Sequence, residues 1–351
     1  MNFRKLTPLI FTVAAIAAAI SCKKDEEPEV MPSLNGTLTF NAPKFIRQKQ
    51  ELEMSPSGIT HPDGNGIGYY WKVTPGMSAS DTVRLENGLS PDGQESDGSF
   101  RYRFSDSLAT YTVSCYGFAA GYSTAYTSRL VTVVQGGLDG SITGTGIAAS
   151  DPRIEYDGDT YHYTSLAGMD WFRNNLSIQA SGAPYANCEA MSDVVGRYYS
   201  YEEAINACPE GWRLPTDAEW VAMAEALNPG TSVPEYGIIP DIAADLMAAA
   251  EFNSTPMWEY WPAVGEITGR SGLAVIPAGY ANLGQIGTDG NYPAAAFYGI
   301  NEYAAFWTAD RVEDEKGMAY YRYIIEDQPD MLIGKGDIKT FGASVRCVRE
   351  K

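Results

Sequence analysis

Hydrophobic and polar residues alternate with a period near two between Leu34 and Val134. Such alternation is typical of β-strands that bury one face. Turn sequences rich in Pro, Asp and Gly, such as those at 62–66 and 91–93, separate the apolar segments. Short strands at this spacing are typical of two packed antiparallel sheets, so we predict a β-sandwich over residues 34–136.

The pattern changes after this region. Residues 137–152 are rich in Gly, Ser and Thr, a composition that predicts a flexible linker. Beyond it, an Asp157-Gly158 turn predicts a hairpin, and a strand is expected at 169–172. We therefore place a second domain at 153–351.

Helices in the second domain are predicted from their capping residues. Ser200 and Thr216 each stand three residues before a Glu, which is the capping-box spacing. They predict one helix from Ser200 to Cys208 and another from Thr216 to about Leu227. An Ala-rich segment predicts a third helix at 241–250. Further strands are expected near 273–276, 304–308, 319–325 and 344–348.

The first 33 residues have the features of a processing and anchoring segment. Arg4 and Lys5 precede an apolar stretch too short to span a bilayer comfortably, and Cys22 follows small residues. Residues 1–21 resemble a lipoprotein signal peptide, which implies lipidation at Cys22; an ordinary signal peptide is the alternative. The acidic tether at 22–33 resembles the surface-export signal of Bacteroidota lipoproteins, although it could be a mere spacer. The expected location is the outer membrane, lipid-anchored and facing the cell exterior.

Charge and composition exclude several classes of function. The chain of 351 residues carries a net charge of -19, whereas nucleic-acid binding needs a basic face. It has two histidines, His61 and His162, which are far apart in sequence, so a multi-histidine metal site is not expected. No nucleotide-binding, nucleophile-elbow or metalloprotease spacing occurs, and we expect no cofactor and no metal.

Parts of the first domain resemble a PKD or immunoglobulin-like module, which implies a spacer or a binding platform. The resemblance is carried by Tyr70-Trp71 and by the segments 100–104, 109–113 and 131–133. Cys115 has no cysteine partner within this region, and we interpret it as a buried small apolar residue.

The second domain resembles the Fibrobacter succinogenes major paralogous domain. Its most specific segment, residues 207–220, reads ACPEGWRLPTDAEW, and further motifs follow in order at 277–280, 306–309 and 344–348. The family is similar to the C-type-lectin-like fold that formylglycine-generating enzymes also use. The resemblance implies an α+β domain in which the N-terminal and C-terminal strands pair.

The resemblance also implies a disulfide. C-type lectins join a cysteine of the first helix to one of the final strand, which here correspond to Cys208 and Cys347. Cys188 is the alternative partner. An exported chain meets an oxidising compartment, where such a bond is stable.

Candidate catalytic chemistry is sparse, and we expect no enzyme activity. Formylglycine-generating enzymes use a cysteine pair near the C-terminus, where this chain has Cys347 alone. Residues 328–330 form the Gln-Pro-Asp triplet of galactose-binding lectins, but without the accompanying Trp-Asn-Asp motif, so we interpret them as a turn. Asp151, Asp157 and Asp159 could bind calcium, yet acidic residues at a turn are usually only solvated.

Aromatic residues are the strongest candidates for ligand binding. Exposed Trp and Tyr rings stack on the apolar faces of sugars, and irregular regions are common ligand sites. The alternative is that these rings form the domain core. The leading hypothesis is non-catalytic binding of a glycan or protein outside the cell, and a structural role in a surface appendage or envelope assembly is the alternative. The candidate ligand-binding residues are Trp258, Tyr260, Trp261, Tyr280 and Tyr303.

Overall fold

The structure is a computed structural model that describes residues 31–77, 94–96 (backbone only), 98–104, 107–258 and 265–351. β-Strands predominate and helices are few and short. The predicted signal peptide, the lipidation at Cys22 and most of the tether lie outside the described residues. In the part of the chain that is described, no helix combines the length and apolar character that crossing a bilayer requires.

The N-terminal half is made of strands around one core. A five-stranded sheet has the order β2-β9-β8-β5-β6, and the pairs β1-β4 and β3-β7 form two smaller sheets. The strands are β1 (Asn35–Phe40), β2 (Phe45–Arg47), β3 (Glu51–Met54), β4 (Pro56–Thr60), β5 (Gly68–Pro75), β6 (Gln94–Ser96), β7 (Phe100–Arg103), β8 (Thr110–Phe118) and β9 (Ala125–Val134).

Residues from all three sheets share this core. Trp71 is fully buried and stacks on Phe100, with Phe40 against its edge. Cys115 is buried without a disulfide, and burial raises the pKa of its thiol to about 12. The interpretation of Cys115 as a small apolar core residue is therefore confirmed.

The C-terminal half combines several small sheets with four short helices among the described residues. The helices are α1 (Ser192–Val195), α2 (Tyr201–Ala204), α3 (Asp217–Leu227) and α4 (Ala243–Leu246). The strands are β10 (Ile142–Thr143), β11 (Arg153–Tyr156), β12 (Asp159–Leu166), β13 (Met169–Phe172), β14 (Ala183–Pro184), β15 (Arg197–Tyr198), β16 (Glu251–Phe252), β17 (Thr255–Pro256), β18 (Tyr280–Asn282), β19 (Ala296–Tyr298), β20 (Tyr303–Arg311), β21 (Met318–Ile325), β22 (Leu332–Asp337), β23 (Phe341–Gly342) and β24 (Val348–Glu350).

One sheet, with the order β11-β12-β13-β24, joins the two ends of this half. The predicted hairpin is present: β11 and β12 pair in antiparallel fashion around Asp157 and Gly158, which both have positive φ. Two consecutive residues of positive φ suit the tight turns whose twist matches that of paired strands. In the same sheet, Trp171 of β13 lies opposite Val348 of β24.

Both predicted capping boxes are present. The side chains of Ser200 and Thr216 accept from the backbone N–H of Glu203 and Glu219, and each Glu side chain bonds back to the cap residue. Helix α3 matches its prediction closely, and its residues Trp220, Met223 and Ala224 are buried. Helix α2 is shorter than predicted, because the chain continues from Ile205 into turns rather than regular helix.

The third helix, predicted over 241–250, is shorter in the structure than predicted. Helix α4 ends at Leu246, and Met247 has an extended backbone. The N–H of Ala248 donates to the carbonyl of Val275 instead of continuing the helix. A tertiary hydrogen bond thus outweighs the helix propensity of the alanines. The predicted strand at 273–276 is reduced to a single bridge at Val275.

The disulfide between Cys208 and Cys347 is present, with their Cα atoms 5.8 Å apart. It joins the turn after α2 to the segment just before β24. Cys188 remains a free, buried thiol. The core beside the disulfide contains Phe172, Trp212 and Trp307.

A buried ion pair fixes α3 to the sheet β20-β21-β22. The Arg322 guanidinium of β21 donates through Nε to Asp217 Oδ1 at 2.6 Å, and the two side chains are 0% and 4% exposed. Removal of one partner from such a pair leaves a buried charge uncompensated. The pair therefore joins the first turn of α3 to β21.

Residues 137–152 make specific contacts, although the sequence predicts a flexible linker there. Strand β10 pairs with β16, and the N–H of Ser141 donates to the carbonyl of Gln135. The two halves also meet directly, since Arg47 Nε donates to Asp193 Oδ2 at 2.7 Å. These contacts offset the flexibility that the Gly-rich composition would otherwise give.

Loss of the disulfide is expected to destabilise the C-terminal half strongly. The sequence separation of 139 residues gives about 5 kcal/mol in the chain-entropy model, and we expect about 3–5 kcal/mol for Cys347→Ser. Urea denaturation of the oxidised protein measures the change. Cys188→Ala removes a buried thiol outside the disulfide and is the matched control; an equal loss in both variants would contradict the prediction.

Candidate functional site

The sheet β20-β21-β22 has two distinct faces. Its strands pair in antiparallel register, with Ala305 opposite Tyr323 and Trp307 opposite Tyr321. Because side chains alternate along a strand, these residues lie on one face and Phe306, Arg322 and their neighbours on the other. The second face packs on α3, and the first carries a group of aromatic rings.

We name this aromatic group the tyrosine surface. Tyr280 is in ring contact with Tyr303, at 5.0 Å between centroids, and Tyr303 stacks on Tyr323 at 4.9 Å. Each ring touches at least one other ring of the group, so the surface is continuous. Its members are Tyr280, Tyr298, Tyr303, Tyr321, Tyr323 and Phe341.

A second small sheet supplies half of this surface. Strand β18 pairs with β19, which places Tyr280 opposite Tyr298, and with β23, which contains Phe341. The N–H of Gly279 donates to the carbonyl of Tyr303 at 2.6 Å and holds β18 against β20. The pairing of β18 with β23 brings together Ala281 and Gly342, which are 61 residues apart in sequence.

Gly334 gives Tyr321 room to lie against strand β22. The two residues are directly opposite in the β21-β22 register. A Cβ atom at Gly334 would lie 2.4 Å from Cζ of the Tyr321 ring, a distance that side chains do not adopt. The other side of the ring stacks on Phe341, with centroids 4.4 Å apart.

The tyrosine surface is partly exposed and uncharged. Tyr298 is 49% exposed, and the other five rings are half-buried. Burial raises the pKa of both Tyr303 and Tyr321, whose hydroxyls are hydrogen-bonded to each other. These hydroxyls therefore remain neutral at physiological pH. The surface offers apolar ring faces together with neutral hydrogen-bonding groups.

Comparison with known protein families identifies the C-terminal half. The sequence profile of the Fibrobacter succinogenes major domain matches residues 164–349, more than half of the chain. The chain belongs to this family. No curated protein matched the chain. The whole tyrosine surface lies within the Fibrobacter succinogenes major domain.

The structure brings two of the predicted ligand residues together and separates a third. Tyr280 and Tyr303 are neighbours in the tyrosine surface, whereas Trp258 is 4% exposed and packs in the core with Trp220. Trp258 is therefore corrected to a core residue, because a buried ring cannot stack on a ligand. Tyr260 and Trp261 lie outside the described residues.

The candidate ligand residues predicted from the sequence do not include Tyr298, Tyr321, Tyr323 and Phe341. The alternating pattern of β21 indicates that Tyr321 and Tyr323 share a face, and this signal was available. The contacts with Tyr298 and Phe341 depend on the pairing of β18 with β19 and β23. That pairing has no local signature in the sequence.

The acidic residues considered for calcium have structural partners. Asp151 pairs with Arg173, while Asp157 and Asp159 accept from Gln179 N–H and the Ser177 hydroxyl. Among the described residues, no group of three or more His, Cys, Asp or Glu side chains is arranged to hold a metal.

The Gln-Pro-Asp triplet at 328–330 also has a structural role. It lies in the β21-β22 connection. There the Pro329 carbonyl accepts a hydrogen bond from the N–H of Ala243, and the Asp330 carboxylate accepts one from the N–H of Asp241.

Substitution of Gly334 by Ala is expected to displace Tyr321 and disorder the tyrosine surface of this major domain. The added Cβ overlaps the ring, so we expect a loss of about 1–3 kcal/mol in the free energy of unfolding. Urea denaturation and tyrosine near-UV circular dichroism measure both effects. Gly317→Ala is the control, because its Cβ would have no neighbour within 4 Å. Equal spectra for the wild type and Gly334→Ala would refute the prediction.

Proposed function

We propose that this protein is a lipid-anchored cell-surface protein that binds an extracellular glycan or protein without catalysing a reaction. In this proposal the tyrosine surface is the binding site. The main support is its continuity: six aromatic rings from five strands form one partly exposed, uncharged surface. Large contiguous apolar patches on soluble proteins mark interaction sites.

Glycans fit the chemistry of this surface. The C–H groups on one face of a sugar ring pack on aromatic faces, and its hydroxyls bond to neighbouring polar groups. Asn301 and Glu302 are exposed beside Tyr303 and supply an amide and a carboxylate. A protein ligand with an apolar segment would use the same rings, since tyrosine is enriched at interfaces.

The architecture proposed for this function is an immunoglobulin-like or PKD-like sandwich followed by a C-type-lectin-like domain. Two observations support the second part. Strand β24 returns to pair with β13, and the Cys208–Cys347 disulfide ties the first capped helix to the chain end. The five-stranded sheet and the two strand pairs around the Trp71 core support the first part.

Substitution of Tyr298 tests the binding site with little risk to the fold, because this ring is 49% exposed. On a glycan array probed with detergent-solubilised protein, we expect binding that falls about tenfold in Tyr298→Ala. A tenfold loss corresponds to about 1.4 kcal/mol, the upper end of what one stacked ring contributes.

Tyr126→Ala is the matched control, because Tyr126 is 39% exposed on β9 of the N-terminal half. Failure to bind any glycan, combined with co-purification of envelope proteins that is unaffected by Tyr298→Ala, would refute the proposed site. That outcome would favour the alternative, a structural subunit of a surface appendage or envelope assembly.

The lipid anchor has a separate test. We expect Cys22→Ala to abolish incorporation of labelled fatty acid and to release the protein from the membrane fraction. The thiol of Cys22 is the only group in the N-terminal 33 residues that can carry a thioether-linked lipid. Lys23→Ala keeps the thiol and is the control. Fatty-acid labelling that persists in Cys22→Ala would contradict the proposal.

A further inference from the structure

A cavity of about 500 Å³ lies where residues 137–149 cover the C-terminal half. The β11-β12 hairpin and residues 173–177 form the opposite wall, and the α1 segment closes one end. Apolar side chains such as Ile142 and Ile147 line it together with polar ones. A cavity of this size and mixed lining suits a small organic ligand.

Arg346 places a buried positive charge at this cavity. Its side chain is buried and donates to Asn175 Oδ1 and to the carbonyls of Phe172 and Leu273. All of these acceptors are neutral, and no carboxylate within the described ranges pairs with it. Burial, with the nearby Arg173, holds the pKa of Arg346 below its usual value. Burial of a cation without a counter-charge costs free energy, because the charge loses its hydration.

The remaining charges of the cavity do not supply that counter-charge. Arg173 is already paired with Asp151, and Asp193 is paired with Arg47. Asp159 accepts from the Ser177 hydroxyl, a neutral partner that does not cancel the charge of the carboxylate. Arg153 and Arg346 set against Asp159 leave the lining an excess of one positive charge, although the whole chain carries a net charge of -19.

Arg153 and Asn174 have hydrogen-bond donors at the cavity that are unpaired within the described residues. Arg153 is exposed at the rim and uses its guanidinium for one bond, to the carbonyl of Ala149. Asn174 accepts from the N–H of His162 through Oδ1, and its Nδ2 has no partner among the residues that the structure describes. Guanidinium and amide N–H groups together form a suitable site for a carboxylate.

We propose that this cavity binds a small hydroxylated carboxylate of the size of a sugar acid. The carboxylate lies between Arg153 and Asn174 and balances the charge of Arg346. The hydroxyl groups of the ligand face Tyr161, Ser177 and the other polar lining residues. This site shares no residue with the tyrosine surface, so it is independent of the proposed function.

Histidine NMR can observe the cavity directly. The chain has two histidines: His162 lines the cavity, and His61 lies in the N-terminal half. Full-length protein in detergent is titrated with glucuronate, and we expect the His162 ring signals to shift while those of His61 stay fixed. Glucose, which lacks the carboxylate, and succinate, which lacks the hydroxyls, should each bind at least tenfold more weakly.

Two variants complete the test. Arg153→Gln removes the exposed guanidinium with little risk to the fold, and we expect at least tenfold weaker glucuronate binding. Arg103→Gln removes the same charge from an exposed strand residue of the N-terminal half and should bind like the wild type.

The proposal is overturned if glucuronate leaves His162 unchanged, if glucose or succinate binds equally well, or if Arg153→Gln has no effect. Tyr298→Ala should retain glucuronate binding, which separates this site from the tyrosine surface.

Discussion

Closure of the C-terminal half depends on the pairing of β13 with β24, secured by the disulfide between Cys208 and Cys347. This pairing joins segments about 180 residues apart and encloses Trp171, Phe172 and Trp307 in continuous cores. Such a long-range contact has a high entropic cost, and the disulfide reduces that cost by restricting the unfolded chain. Sheet β20-β21-β22 is packed within this closed frame, so both faces of that sheet depend on it.

The two faces of the β20-β21-β22 sheet differ in burial: one is part of the core, and the other is partly exposed. On one face, Arg322 and Asp217 form a buried ion pair that fixes α3, and apolar residues fill the remaining space. On the other, the tyrosines remain partly exposed, and Gly334 leaves the Tyr321 ring room to lie against β22. The same alternation of side chains therefore builds the core and presents the candidate binding surface.

Several arginine side chains are buried in this acidic protein. Arg197, Arg322 and Arg346 are each at most 2% exposed, although lysine and arginine are greatly outnumbered by acidic residues. Arg197 and Arg322 have carboxylate partners, whereas Arg346 donates to neutral groups. Guanidinium suits this role because it presents five donors in a rigid plane and stays charged. Of the three, Arg346 is the one whose positive charge a bound anion would balance.

The sequence by itself determined the features that local chemistry controls. The capping boxes of α2 and α3, the Asp157-Gly158 hairpin and the strands at 304–308 and 319–325 were predictable, because each depends on neighbours within a few residues. The family motifs identified the C-terminal half and, through it, the disulfide. Tertiary structure decided the rest: the end of α4, the burial of Trp258 and the gathering of Tyr280 with Tyr298 and Phe341. These features depend on contacts between segments that are distant in the sequence. Such contacts leave no pattern among neighbouring residues.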